Sequence, residues 1–193
     1  MADLNQLVLA ANVNWHKFYE PGSKQWTSLS VRMDIGSGLF VDISISGDKN
    51  LKSKKLAAML RRLKDNKQLP FLVTASFIQK KKKDGSIQDT VRCSIGNADV
   101  QHGQLIPINL CLIRGRVKEQ SDSVILVETS FFNPKKDQEG GDGWDRRLVP
   151  IVHNSSVISD LVGQKVFIKG RLETKTPSGK EKLFVRSEVI IPG

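Results

Sequence analysis

Four consecutive lysines, Lys80 to Lys83, stand immediately before Asp84-Gly85 and between two apolar runs. A β-hairpin built this way carries its positive charge at the tip. Two uses fit such a tip: contact with a phosphate backbone, which releases condensed counterions, and protection of a sheet edge against further strand pairing. The two can coexist. A second constellation interleaves aromatic with basic residues, Trp15, Phe18, Tyr19 and Trp26 among His16, Lys17 and Lys24. Such a mixture suits unstacked bases and their phosphates; the alternative is a loop that folds its aromatics over the end of its own domain.

Other chemistries find little support. The three histidines, His16, His102 and His153, are scattered, and no spacing suggests a nucleophile with its base. The glycine-rich "DIGSGLF" lacks the Lys-Ser/Thr of a phosphate-binding loop and reads as a tight turn between strands. "DQEGGDGWD" gathers Asp137, Glu139, Asp142 and Asp145 without the ligand order of a calcium loop, and is expected to be an acidic loop able to compete for a basic groove. Cys93 and Cys111 lie singly in apolar runs, so buried thiols are expected and zinc is not. The reading calls for no enzyme activity, no cofactor and no metal.

The 193 residues carry a formal charge of +10, which makes a polyanion the leading partner. The charge is uneven. Residues 1–103 hold 16 lysines and arginines against 9 aspartates and glutamates, a net +7, and the rest hold 14 against 11, a net +3. No apolar stretch is long enough to span a bilayer and no secretory leader is visible, so a cytoplasmic protein with no membrane partner is expected.

The elements that must position these residues are strands. Apolar runs of strand length, several alternating with period two, are Leu7 to Val13, Leu29 to Ile35, Leu39 to Ile45, Phe71 to Ile78 and Thr90 to Ile95. "SKKLAAMLRRLKDN", with Leu56, Met59, Leu60 and Leu63 on one face, predicts a helix between the third and fourth. After a linker "NADVQHGQLIP" the order returns: Ile108 to Val117, Val124 to Phe132, Arg147 to Val152, Lys165 to Leu172 and Leu183 to Ile191. A short helix candidate, "NSSVISDLVG", again lies between the third and fourth, with Gly163 as its stop. The last two runs flank a hairpin tip, "ETKTPSGKEK", that carries Lys175, Lys180 and Lys182. Five strands with a helix after the third is the order of the OB-fold, a small Greek-key barrel. The expected architecture is therefore all-β, with tandem OB-folds over residues 1–103 and 104–193; a β-sandwich is the alternative. In this arrangement "KKKKDG" is the loop after strand four. Phe71, Phe77 and Phe167 are expected in the cores, and the wet face of the first helix takes Arg61, Arg62, Lys64 and Lys67.

Residues 108 to 191 resemble bacterial-type single-stranded DNA-binding proteins. The likeness lies in an ordered set: the opening "INLCLIRGRV", Trp144 with Arg146, a short helix, Gly170-Arg171-Leu172, Ser178-Gly179, and Phe184 followed by Glu188-Val189. The resemblance implies that Trp144 stacks on bases, that Arg146 is a neighbouring basic contact, and that Phe131 or Phe132 lies near a further aromatic site. Strand alternation sends those two to opposite faces. The candidate site is thus Trp15, Lys17, Phe18, Trp26, Lys80, Lys81, Lys82, Lys83, Phe131, Phe132, Trp144, Arg146, Arg171, Lys175, Lys180, Lys182 and Phe184. Departures from the family are Thr176-Pro177 and Pro150 where aromatics are usual, and an ending at "EVIIPG" without the glycine-rich linker and acidic tip that recruit replication proteins. The resemblance implies a tail-less tandem variety serving DNA replication, recombination or repair, of a kind that suits a phage or mobile element, at the nucleoid or a replication site. Single-stranded DNA is the expected partner. RNA, a homo-oligomer and an assembly-subunit role stay open.

Overall fold

Among the described residues the computed structural model has ten strands, most of them alternating buried and exposed residues: β1 (Leu4–Tyr19), β2 (Trp26–Gly36), β3 (Leu39–Asp48), β4 (Leu69–Lys81), β5 (Ile87–Val100), β6 (Ile108–Gln120), β7 (Val124–Phe132), β8 (Trp144–Val152), β9 (Lys165–Lys175) and β10 (Lys182–Pro192). The structure describes residues 3–19, 26–36, 39–48, 58, 61–62, 69–81, 84–100, 106–132, 140–154, 160–175 and 182–193. Within these, side chains are described except at 14–19, 26–30, 36, 39–48, 69, 80–81, 87–88, 95–96, 132 and 175.

The chain forms two compact units, one of Leu7–Phe77 with Asp89–Asn109, the other of Met1–Gln6, Ile78–Gln88 and Leu110–Gly193. In the first, β1 pairs with β4 over Leu7 to Val13 and with β2 from Val13 to Tyr19, both antiparallel, with a register shift between Val13 and Trp15. β2 and β3 form a hairpin that closes at Gly36 and Leu39, as the tight turn read in "DIGSGLF" requires. β3 joins β5 in parallel from Ile43↔Val91 to Ser46↔Ser94, and β5 neighbours β4. The pairing therefore returns to β1. Its core alternates along the strands: Leu7 and Leu9, Val31 and Met33, Phe71, Val73 and Phe77, Val91 and Cys93 are all buried.

The second unit repeats that order of pairing. β6 pairs with β7 and β7 with β8, both antiparallel; β8 meets β10 in parallel at Ile151↔Val185; β10 pairs with β9, and β9 with β6. Cys111, Ile113 and Val117, Ile125 and Val127, Val149 and Ile151, Val166, Ile168 and Leu172, and Val185 fill its interior. At Gly170 and Gly115 the backbones come too close for a side chain: a Cβ would strike the Arg186 carbonyl at the first and the Glu128 carbonyl at the second.

The unit also takes in the N-terminal segment. Asp3 accepts hydrogen bonds from the Ser130 N–H (2.9 Å) and hydroxyl (2.8 Å) and meets Lys165 at 3.6 Å, and Asn5 donates to Thr129.

Several expectations need correction. "NWHKFYEPGSKQW" is not all loop: Trp15, Lys17 and Phe18 lie in β1, because the bulge lets the strand leave β4 and continue along β2. The linker read from Asn97 onward starts later, since Asn97–Val100 close β5 with Ala98 and Val100 buried. Phe167 is half-buried, not core: Val166 and Ile168 take the inward positions on either side of it.

In the first helix segment Ala58, Arg61 and Arg62 have helical backbone and are exposed; its other residues lie outside the described ones. In the second, Asn154, Asp160 and Leu161 are not helical, Gly163 turns at φ +83°, and residues 155–159 are outside the description. No helix among the described residues is long and apolar enough to cross a membrane. Both cysteines are buried free thiols. Burial, with the Glu188 carboxylate adding, pushes the Cys111 thiol far up, so it stays protonated and inert.

Candidate nucleic-acid interface

Register settles which residues share a face. On β7 the inward positions are Ile125, Val127 and Thr129, and on β8 Val149 and Ile151, so by alternation the even-numbered residues of β8 point outward. That outward row is Trp144, Arg146, Leu148 and Pro150. The parallel pair Val152↔Arg186 carries the same face onto β10, and the pairs Arg186↔Arg171 and Phe184↔Glu173 carry it onto β9. One sheet surface of the second unit therefore holds Trp144, Arg146, Arg171, Lys182, Phe184 and Arg186.

Their environments differ. Trp144 is 44% exposed, and Arg146 and Lys182 are exposed as well. Arg146 pairs with Asp142 at 2.7 Å. Asp142 also accepts the Trp144 N–H at 3.0 Å, and the positive φ of Gly140 and Gly143 turns the chain around it. Phe131 falls in the inward row, half-buried, with the Arg147 guanidinium 4.9 Å from its ring centre. Phe132 pairs through its backbone with Trp144. Phe184 is buried, and Arg186 lies over its ring at 5.7 Å.

Arg171 and Arg186 stand directly opposite each other, an arrangement of like charges that costs stability unless an anion intervenes. Glu173 supplies it, accepting from Arg171 Nε at 3.1 Å and from Arg186 Nε at 2.7 Å. Arg186 also donates to Asn154 Oδ1 at 2.9 Å. Sequence reading placed Asp142 in an acidic loop able to compete for a basic groove, and missed Glu173 and Arg186. The cross-strand Arg–Arg pair was the available signal, once the register is known.

The lysine hairpin belongs to the same unit. Its tip is an Asx turn: Asp84 Oδ1 accepts both the N–H and the hydroxyl of Ser86, and Gly85 takes φ +82°. At its base the Gln79 side chain accepts the Leu148 N–H at 3.5 Å, on an edge of β8 that β10, pairing at Ile151 and Val152, does not reach. Gln79 immediately precedes Lys80, so the basic run starts beside the strand that carries Trp144 and Arg146.

Lys82, Lys83 and Lys180 lie outside the described residues, as do the side chains of Trp15, Lys17, Phe18, Trp26, Lys80, Lys81, Phe132 and Lys175. Trp26 opens β2 opposite Asp48, and Lys175 pairs with Lys182. Among the described residues no cluster of acidic, histidine or cysteine side chains forms a metal site.

No family model matches the chain, and no curated protein matches it. Solved structures do. The crystal structure of the wild-type single-stranded DNA-binding protein from Thermus aquaticus covers 100% of this chain and 94% of its own, with a TM-score of 0.66 at 11% identity. A deletion mutant of the same protein covers 100% and 95%, with a TM-score of 0.67 at 13% identity. The chain has the fold of a single-stranded DNA-binding protein. The all-β expectation and the resemblance read over residues 108–191 agree with this, and the structural likeness extends over the whole chain. Both similar structures are named for binding DNA and not for a reaction.

Proposed function

We propose that the chain binds single-stranded DNA with little sequence preference, capturing it through lysines and arginines and holding it by base stacking. The carrying observation is the exposed Trp144 beside Arg146 on the outward face of β8, in a chain with this fold. Stacking on an aromatic contributes about 1–3 kcal/mol per base and accepts any base, because every base has a π-face. The two repeated pairing orders support reading the protein as tandem OB-fold barrels; the helix between the third and fourth strands of each, and a boundary near residues 103 and 104, belong to the proposal and rest on the sequence pattern. On that reading the strand-two and strand-three face of the second barrel is the β7–β8 surface, and the lysine run that follows Gln79 is proposed to supply phosphate contacts to it. Trp15, Lys17, Phe18 and Trp26, on β1 and at the start of β2, are the candidate contacts of the first barrel. Replication, recombination or repair is the setting in which such binding is used, in the cytoplasm.

The test is intrinsic tryptophan fluorescence during titration with a dT oligomer of about 30 nucleotides, longer than a single OB-fold spans. Quenching by dT, weakened by salt and absent with duplex DNA, is expected. Equal response to duplex would reduce the positive charge to a general field, and rU in place of dT separates DNA from RNA.

A further inference from the structure

Asp142 touches both residues on which the proposed binding face turns. One carboxylate oxygen fixes the backbone N–H of Trp144, and the other holds the guanidinium of Arg146. The contact is exposed: the side chains of Arg146 and Asp142 keep 54% and 42% of their accessibility. Exposed ion pairs are weak, so an incoming phosphate can take the arginine from its partner. Until it does, Arg146 is held in one orientation at the start of β8 and offers little net charge.

We propose that Asp142 is a built-in competitor for phosphate, which sets the affinity of this face and its salt dependence while its second oxygen fixes the turn that presents Trp144. The inference rests on the reading of the face as a single-stranded DNA site. A carboxylate here costs affinity but confers selectivity for ligands that both stack and carry phosphate: a polyanion that cannot stack gains only by displacing Asp142, and must do so against its repulsion. Asparagine at this position keeps an oxygen for the Trp144 N–H and gives up the charge. Alanine gives up both.

Full-length wild type and the variants Asp142→Asn, Asp142→Ala, Arg146→Ala and Asp142→Asn/Arg146→Ala are titrated with the dT oligomer over a salt series, following tryptophan quenching. Asp142→Asn is expected to bind roughly two- to fivefold tighter at low salt, the equivalent of an exposed ion pair released. Its log–log salt slope should steepen by up to about 0.7, one more phosphate neutralised on a single strand, with wild-type quenching amplitude. Asp142→Ala should show a reduced amplitude. In the Arg146→Ala background the asparagine should give no gain. Unchanged or weaker binding by Asp142→Asn overturns the proposal, and so does an equal gain without Arg146, which would make the effect one of overall charge. Absence of any dT quenching in wild type would instead sink the reading of the face itself, and the inference with it.

Discussion

The two halves of the chain hold positive charge in different ways. Residues 1–103 have a net +7 and run four lysines together, whereas residues 104–193 have a net +3 and set Arg146, Arg171 and Arg186 each against a carboxylate. A lysine ammonium is a compact, strongly hydrated point charge, useful for counterion release and undemanding of geometry. A guanidinium held by a carboxylate is a planar donor kept in one orientation. Under the proposed function the first half gathers the strand and the second arranges it, and measurements that separate salt dependence from affinity can break that division.

The largest effect belongs to the gathering charge. Replacing Lys80 to Lys83 together by alanine should reduce the log–log salt slope by about 0.7 for each lost contact, close to 3 in all. Between 50 and 200 mM salt the wild type would then lose roughly fiftyfold more affinity than the variant. Replacing Lys175, Lys180 and Lys182 together should reduce the slope by at most about 2. Equal losses from the two sets would erase the distinction between the halves.

Next comes the arranging surface. Trp144→Ala should weaken dT binding by about 1–3 kcal/mol and remove the Trp144 share of the quenching while leaving the salt slope close to wild type. Trp144→Phe should recover much of the affinity. A slope that falls as far as the affinity would mean that stacking and charge are not separable on this face.

Much of the strand order was legible because alternation survives wherever one face is buried. It failed at particular residues for particular reasons. The first strand reads as ending at Val13 because the bulge before Trp15 shifts the period-two pattern by one residue, so the polar and aromatic residues beyond it look like loop. Asn97 to Val100 looked like linker because Asn97 and Asp99 are exposed, although Ala98 and Val100 alternate with them as buried neighbours. Phe131 and Phe132 were known to face opposite ways; only the burial of Ile125, Val127 and Thr129 assigned Phe131 to the inward row. The contacts of Asp3 with Ser130 and of Gln79 with Leu148 join residues 127 and 69 positions apart. Local pattern holds no trace of such pairs.

Gly170 tests the backbone of the arranging surface. A methyl group there meets the Arg186 carbonyl across the ladder, and neither strand can retreat without disturbing the Glu173 contacts to Arg171 and Arg186. Gly170→Ala should therefore destabilise the fold by about 1–3 kcal/mol, read as a lowered urea midpoint with unchanged slope. A variant as stable as wild type would show that the strands can part at that point and that the cross-strand arginines are not rigidly placed.

The smallest effect sharpens the comparison most, because it concerns a residue of the first half that completes the second. The Asp3 side chain, only 12% exposed, serves two donors of Ser130 and faces Lys165, and Ser130 is the ladder partner of Arg146. Asp3→Ala leaves the Ser130 N–H without its acceptor, a loss of about 1 kcal/mol when water can partly replace it. For a chain of this length that lowers the melting temperature by roughly 2–4 °C. Asp3→Asn keeps one acceptor oxygen and should lose less. The dT affinity of both should stay within about twofold of wild type, since the Arg146 guanidinium is held by Asp142. A melting temperature unmoved by Asp3→Ala would mean that the N-terminal segment lies on the second unit without supporting it, and the two halves of the sequence could then be compared as separate proteins. A fall of the expected size means that a cut near residue 103 removes part of the second unit's sheet, so charge and stacking must be apportioned by substitution in the whole chain.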